Sequence, residues 1–431
     1  MQGTYYLNAS RGRKVYFEVP SGWRVVAFPE STALERIPLS LGDLLQKALS
    51  DVLTRSGLSR FAGRIARVTI VVDDNTRPTP VSPILDFVIS RLEESGLKSD
   101  QISIVIASGT HSSLSREQVE ARLGKHNAST FRVVQHDAVS NGLRTIAKLK
   151  DGHEVKINPA VVESDLTITI SSILPHPSAG FGGGPKMIMP GVADFESIRR
   201  HHIANVLHPN AILGNVVGNP FHEEIMPIAK AAGPVLSINC IYDAEGGLVE
   251  VVAGELEAAF RKSVNMARSL LGRKLLSKVD VTITSSFPHV KGPQVMKSFA
   301  LPSITTKQGG IFFVFAPITE RIPDDLMEGF AEVRERSGND PISAITKSLA
   351  AGLPLFPERP MDFNMAVMGG VIRTARCKAV LVSDLVSERE ARLMGSGHAQ
   401  TLEEGLAWAK KQFPDAEVAI FPTGGFTVPL L

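Results

Sequence analysis

Cysteine is nearly absent from this 431-residue chain: two occur, Cys240 and Cys377, far apart in sequence. That excludes a disulfide framework and a thiolate-rich metal site, and it fits a reducing compartment. Long apolar runs are missing as well, none approaching the roughly 18 consecutive residues of a membrane span. Residues 1–8 lack a basic segment followed by an apolar one, so no secretory signal is expected and the cytoplasm is the expected location. Net charge is equally scarce. A formal +2 leaves no electrostatic footprint for nucleic acid or for an acidic partner surface. Short-period repeats and low-complexity tracts do not occur.

What is present is the balance of a globular protein, 43% hydrophobic and 21% charged, long enough for two cores. Apolar runs bounded by turn residues alternate with helical periodicity. This predicts an α/β fold: two α/β domains with mainly parallel sheets and a cleft between them. Buried strands are expected at 68–72, 102–107 and 166–170. A helix is expected to begin with Ser82 as N-cap and Pro83 at the first helical position. Its apolar face would be Ile84, Leu85, Val88, Ile89 and Leu92, and Gly96 would stand just past its end. Ser115 and Gln118 have capping-box spacing for a further helix. The amphipathic stretch 255–271 reads as a connecting helix, after which strand patterns restart at 279–284, 311–316, 379–383 and 416–421. The expected division is residues 1–272, a cofactor-binding and catalytic domain, and 273–431, a domain completing the substrate cleft.

The three early strands each deliver a polar or glycine-rich loop at their carboxyl ends, where open α/β sheets bind ligands. The loop after the third carries Gly182, Gly183 and Gly184, then Pro185 and Lys186. Glycine lets the backbone come close to a ligand, and a lysine at the end of such a loop suits phosphate contact or covalent attachment. With proline before the lysine and no Ser or Thr after it, the run is not a Walker A sequence, which argues against P-loop nucleotide hydrolysis. An ordinary exposed loop lysine is the bland reading.

Histidines supply the other candidates. His111 ends the run Ser108-Gly109-Thr110 after the second strand, and His176 sits between Pro175 and Pro177 in a stiffened loop. Both suit proton exchange near neutral pH, and both also suit a plain cap or tight turn. Two histidines at one crevice could serve opposite faces of one substrate carbon, as a racemase or epimerase requires. His201 and His202, with His208 downstream, are possible metal ligands, but no zinc-type spacing occurs and the neighbouring Arg199 and Arg200 suggest a surface pair. An imidazole site without thiolates would suit nickel, copper or zinc. Arg77, beside Asp74, has the planar fork for a carboxylate or phosphate, set against an ordinary loop ion pair. Gln294 and Lys297 offer polar groups from the second domain. Residues 218–224 read as a turn entering a helix with an acidic first turn.

Taken together these segments resemble the lactate racemase family, which uses the nickel-pincer nucleotide. The resemblance rests on Asp73 through Pro80, Ala107 through His111, His176 through Lys186, the His201–His202 pair and Gly218-Asn219-Pro220, in family order over about the first 225 residues. It implies the following roles. Lys186 carries the cofactor, nickel pyridinium-3,5-bisthiocarboxylic acid mononucleotide, through a thioamide, and His202 completes the nickel coordination. Asp74, Thr76, Gly182, Gly183 and Gly184 lie at the cofactor. His111 and His176 are the paired acid–base histidines. Arg77, with Asp74 beside it, resembles the residues that orient the substrate carboxylate, and Gln294 and Lys297 resemble the second-domain substrate contacts. One histidine takes the hydroxyl proton as the α-hydrogen leaves as hydride to the cofactor, and the planar 2-keto acid accepts it back on its other face. The implied partners are a small 2-hydroxy acid and the proteins that synthesise the cofactor.

One departure stands out. Pro293 replaces the family's tyrosine before the glutamine, and residues 287–293 lack its usual acidic residue. The implied substrate is therefore not lactate but a larger or more polar 2-hydroxy acid, such as a sugar acid or a hydroxy diacid. Two alternatives use the same residues: a metal-dependent lyase or hydrolase without the pincer, and a cofactor-binding homologue without turnover.

Overall fold

The structure is a computed structural model that describes residues 3–28, 39–54, 58, 65–338 and 340–430. Two six-stranded sheets organise it. In the first, the strand order is Leu248–Glu255, Val235–Tyr242, Leu166–Ser172, Val68–Asp73, Ile102–Ala107 and Arg132–Gln135. All neighbours run parallel except the first pair. Every residue of Val68–Asp73 and of Leu166–Ser172 is buried, as expected of central parallel strands covered on both faces. The chain leaves Val68–Asp73 toward Ile102–Ala107 and later returns to its other side with Leu166–Ser172. That reversal opens a crevice beyond the carboxyl ends of the two strands.

The second sheet is wholly parallel: Ser396–Ala399, Lys378–Val382, Thr306–Phe315, Val279–Ser285, Ala416–Phe421 and Trp23–Ala27. Its last strand departs from the expected division at residue 272. Trp23–Ala27 pairs with Ala416–Phe421, and Leu7 and Phe17 of the preceding hairpin pack with Val281, Ile283 and Phe313. Asn8 locks this placement, its N–H donating to the Pro422 carbonyl (2.9 Å) and its carbonyl accepting from Ser285 Oγ (2.6 Å). Local apolar pattern announces a strand, but which sheet receives it is decided by non-local pairing.

Other elements follow the sequence closely. The connecting helix is Leu256–Leu271, with Glu255 as N-cap, and Ser115 with Gln118 forms the capping box. The helix Val81–Glu94 begins earlier than expected, with Pro80 at the N-cap and no side-chain cap. Thr79, next to it, gives its hydroxyl to the tertiary structure instead, bonding Asp73 Oδ2 (2.6 Å) and Ser172 Oγ (2.5 Å). At its other end Gly96 takes φ +97°, and the Leu97 N–H reaches back to the Leu92 carbonyl (3.1 Å), a Schellman closure.

A single apolar cluster runs from Val71 and Val105 on one face of the first sheet, through Ile188 and Ile198, to Met296, Phe312 and Phe330 under the second. The walls of the cleft between the sheets are thus continuous with a shared core. No helix among the described residues is long and apolar enough to cross a membrane.

Candidate active site

The cleft consists of two adjoining hollows. The inner one is floored by Ser171, Gly183, Lys186 and His202. The outer one opens past Thr76, Ser112, His289 and Arg321. Asp74, Arg77, His111, His176, Gln294 and Lys297 line both, as do Gly182 and Asp362. The junction of the hollows is where the loops of the first sheet meet the 3-10 helix Gly292–Phe299 and the helix Met361–Thr374 of the second.

Two consecutive carboxylates end the strand Val68–Asp73, and they face different tasks. Asp73 is structural: it pairs with Arg122 and accepts from Thr79 Oγ1 and the Ser172 N–H, tying the loop to the sheet. Asp74 Oδ2 meets His111 Nδ1 at 2.5 Å, while Oδ1 accepts from the Thr76 N–H (3.0 Å) and Oγ1 (2.5 Å). Burial alone would raise the Asp74 carboxyl, but the hydrogen bond and charge of His111, with Arg77 and Thr76, hold it below the ordinary carboxylate range. An ionised Asp74 can only accept, so in a neutral His111 the proton sits on Nδ1 and the lone pair on Nε2. Arg77 Nη1 donates to Thr76 Oγ1 at 2.8 Å, which leaves other guanidinium donors for the cleft.

His176 is held in the opposite sense. The residue pair Pro175–His176 bridges antiparallel to Gly180–Phe181, and the tight turn aims two backbone N–H groups at its ring. Nδ1 accepts from Ser178 (3.3 Å) and Ala179 (3.1 Å), so the proton of the neutral ring resides on Nε2. Burial, then the charges of Lys186 and Lys297, depress its basicity well below the usual imidazole value. His111 is therefore set to accept a proton and His176 to donate a hydrogen bond.

The glycine run closes the inner hollow. Gly183 takes φ +73°, and a Cβ there would stand 2.7 Å from the Ser172 carbonyl and 2.8 Å from Ser171 Oγ, so the loop can lie against the strand end only as glycine. Gly182 faces both hollows, whereas Gly184 lines neither. It is buried behind the wall, where an added Cβ would strike Phe260 at 2.2 Å. Thr76 borders the outer hollow and not the inner one. Lys186 follows on the 3-10 turn Gly184–Met187. Burial, then Arg77, lowers its ammonium to about 7, and among the described residues no carboxylate pairs with it.

Phe221 organises the histidines and Lys186. The Lys186 Nζ stands 5.0 Å above its ring, and the His201 and His202 rings meet it edge-on with centroids 4.4 and 4.8 Å away. Phe221 arrives on the helix Pro220–Ala231, capped by Asn219, whose Nδ2 also donates to the Ser178 carbonyl beside His176. It directly follows the Gly218-Asn219-Pro220 segment, the one sign of it in the sequence. The histidine pair is not a surface feature. His201 is 1% and His202 9% exposed, on the helix Phe195–Asn205. His201 donates Nε2–H to the Phe221 carbonyl (2.8 Å). His202 donates Nδ1–H to the Ile198 carbonyl (2.8 Å), which leaves the Nε2 lone pair for a ligand. Burial, then His201 and Lys186, keeps His202 neutral. A metal-binding imidazole is usually held in this way, its second nitrogen fixed by a carbonyl. His208 is exposed and lines neither hollow. Among the described residues no three His, Cys, Asp or Glu side chains converge on one point.

On the 3-10 helix Gly292–Phe299, Lys297 has its ammonium pushed well below the usual lysine value by burial, then by Arg77 and Lys186. Three further residues at the cleft escaped sequence reasoning. His289 follows Pro288 in the outer hollow, Asp362 lies in the first turn of Met361–Thr374, and Arg373, on the last turn of that helix, reaches the inner hollow and donates to the Met296 carbonyl. No local motif marks them; the packing of elements around the second sheet brings them in.

A lactate racemase N-terminal domain matches residues 13–214. Over 90% of its length the chain is similar to lactate racemases. It is similar to the lactate racemase of Thermoanaerobacterium thermosaccharolyticum, with 25% identity over 395 residues that cover 90% of each chain. The lactate racemase of Lactiplantibacillus plantarum is 24% identical over 392 residues, again 90% of each. The fold is that of the lactate racemase apoprotein from Thermoanaerobacterium thermosaccharolyticum, with a TM-score of 0.86 over all of both chains at 23% identity. A protein from Thermotoga maritima matches with a TM-score of 0.65 and 18% identity, over 92% of this chain and all of that one. Kinship with lactate racemases supports a function of the racemase or epimerase type.

Proposed function

We propose that this protein is a cytoplasmic racemase or epimerase of a 2-hydroxy acid other than lactate, working with the nickel-pincer nucleotide. The observation that carries the reading is the junction itself. His111, held by Asp74 as a proton acceptor, and His176, held by two backbone N–H groups as a donor, line one small space beside Lys186 and His202.

The residues present fit the cofactor. Lys186, lowered to about 7, has an appreciable neutral fraction at physiological pH, the form an amine needs to enter a covalent link. His202 offers Nε2 to a metal because Nδ1–H is already given to Ile198. Gly183 keeps the loop free of side-chain bulk. When bound, the nickel-pincer nucleotide would supply the acceptor for the substrate α-hydrogen.

The chain's own groups supply the rest. Arg77 and Lys297 orient the substrate carboxylate, with Gln294 alongside. His111 Nε2 takes the hydroxyl proton and returns it, and Asp74 stabilises the imidazolium formed in between. His176 Nε2–H donates to the substrate oxygen and keeps the planar keto acid in place while it presents its other face. The partners on this reading are the small-molecule substrate and the cofactor-synthesis proteins. The test is production together with those proteins, intact-mass and nickel analysis, and chiral assay against a panel of 2-hydroxy acids. Protein that carries the cofactor yet interconverts none of them contradicts the proposal.

A further inference from the structure

Basic side chains line the junction, Arg77 and Lys297 beside the cofactor anchor Lys186, and Asp74 is already engaged by His111 and Thr76. A carboxylate substrate explains Arg77 and Lys297. It does not explain two acceptors on the second-domain wall. Asp362 Oδ1 and Gln294 Oε1 are buried and have no hydrogen-bond partner, and both side chains line both hollows. In the inner hollow Ser108 Oγ is likewise buried and unpartnered. A buried carboxylate oxygen left without a donor is costly, and such a cost persists where a ligand relieves it. A carboxylate in the first turn of a helix also favours the helix dipole, but a solvated oxygen would do that equally well.

The chemistry of these acceptors discriminates between substrates. An alkyl chain beyond C2 would leave Asp362 and Gln294 unpaired. A second carboxylate would face the charge of Asp362. A hydroxyl group donates to either oxygen, and its own oxygen can accept from Lys297. Resting on the racemase reading above, we infer that the substrate is a 2-hydroxy acid whose chain carries further hydroxyl groups, an aldonic acid, with Asp362 and Gln294 as the acceptors that select it.

The test uses protein shown by mass and nickel content to carry the cofactor, and three acids: gluconate, its chain-matched deoxy analogue 2-hydroxyhexanoate, and the diacid malate. Epimerisation of gluconate should exceed turnover of either of the others by about tenfold or more in kcat/KM, since a site built for hydroxyls rejects analogues lacking them. Asp362→Asn should lower the ratio of gluconate to 2-hydroxyhexanoate by about tenfold, roughly one charged hydrogen bond. Gln294→Met, which keeps the side-chain length, should lower it in the same direction. Thermal stabilisation of the loaded protein by each acid should follow the same order. Turnover of 2-hydroxyhexanoate or malate at least equal to that of gluconate, or variants that lower all three acids alike, overturns the inference and leaves the racemase reading standing. Loaded protein that turns over no 2-hydroxy acid overturns both.

Discussion

His111 Nδ1 lies 2.5 Å from Asp74 Oδ2, and that one contact determines which nitrogen of the imidazole can take a proton. Because the carboxylate is held ionised, Nε2 is the basic atom. In Asp74→Asn the side-chain amide can donate to Nδ1 as readily as accept, and the ring can adopt the wrong tautomer. Turnover should fall by about 10²–10⁴-fold, while the mass added at Lys186 is retained. Steady-state kinetics alongside intact-mass analysis checks both halves.

His176 works through the opposite tautomer, so its loss should differ in kind. In His176→Gln the amide can still donate a hydrogen bond, and it should keep more activity than His176→Ala. The parallel substitution His111→Gln offers no base and should be as damaging as His111→Ala. Equal effects of Gln and Ala at His176 would mean that it also takes up a proton. The comparison of kcat across the four variants decides this.

Lys186 should titrate near neutrality in the cofactor-free protein. With its ammonium lowered to about 7 against an ordinary value of 10.5, the unfolded chain binds the extra proton between those limits. Stability from this residue therefore rises with pH through that window and is flat below it. Lys186→Met should raise Tm at pH 7 by a few degrees and flatten the pH dependence above it. Denaturation scans from pH 6 to 10 measure this. The same substitution should abolish cofactor attachment.

His202→Ala should separate covalent attachment from metal retention. The added mass at Lys186 should survive, and nickel should be lost on dialysis, because a metal that has lost a protein ligand is held less tightly. Elemental analysis of the dialysed protein reads the result.

Gly183→Ala tests the shape of the loop apart from its chemistry. A side chain at φ +73° and 2.7 Å from the Ser172 carbonyl strains the backbone or displaces the strand end. The expected cost is about 1–3 kcal/mol in chemical denaturation, with loss of cofactor loading. Gly184→Ala should be at least as destabilising because Phe260 occupies the space, although Gly184 does not border the cleft.

Much of the first sheet's contribution was legible, because strand, loop and motif there are contiguous in sequence. The runs ending at Asp73, Ala107 and Ser172 each announce a buried strand and the residues it presents. What stayed hidden depends on contacts distant in sequence. Trp23–Ala27 looks like any short strand until Ala416–Phe421 receives it. Ser82, the expected N-cap, lies inside the helix Val81–Glu94, and the Thr79 hydroxyl just before it is taken by Asp73 and Ser172. The His201–His202 pair reads as surface beside two arginines until Phe221 arrives from the next helix to bury it. Asp362 has no motif, and only its place at the hollows that Gln294 also lines gives it a meaning.

The central claim is that the α-hydrogen travels with the substrate and does not exchange with water. Cofactor-loaded protein is incubated with a 2-hydroxy acid that it interconverts, carrying deuterium at C2, and the inverted product is isolated by chiral chromatography and weighed by mass spectrometry. The account predicts that the product retains the deuterium at C2 and gains no solvent hydrogen there. Loss of the label to water would show that a side chain removes the α-hydrogen as a proton, and it would contradict the account.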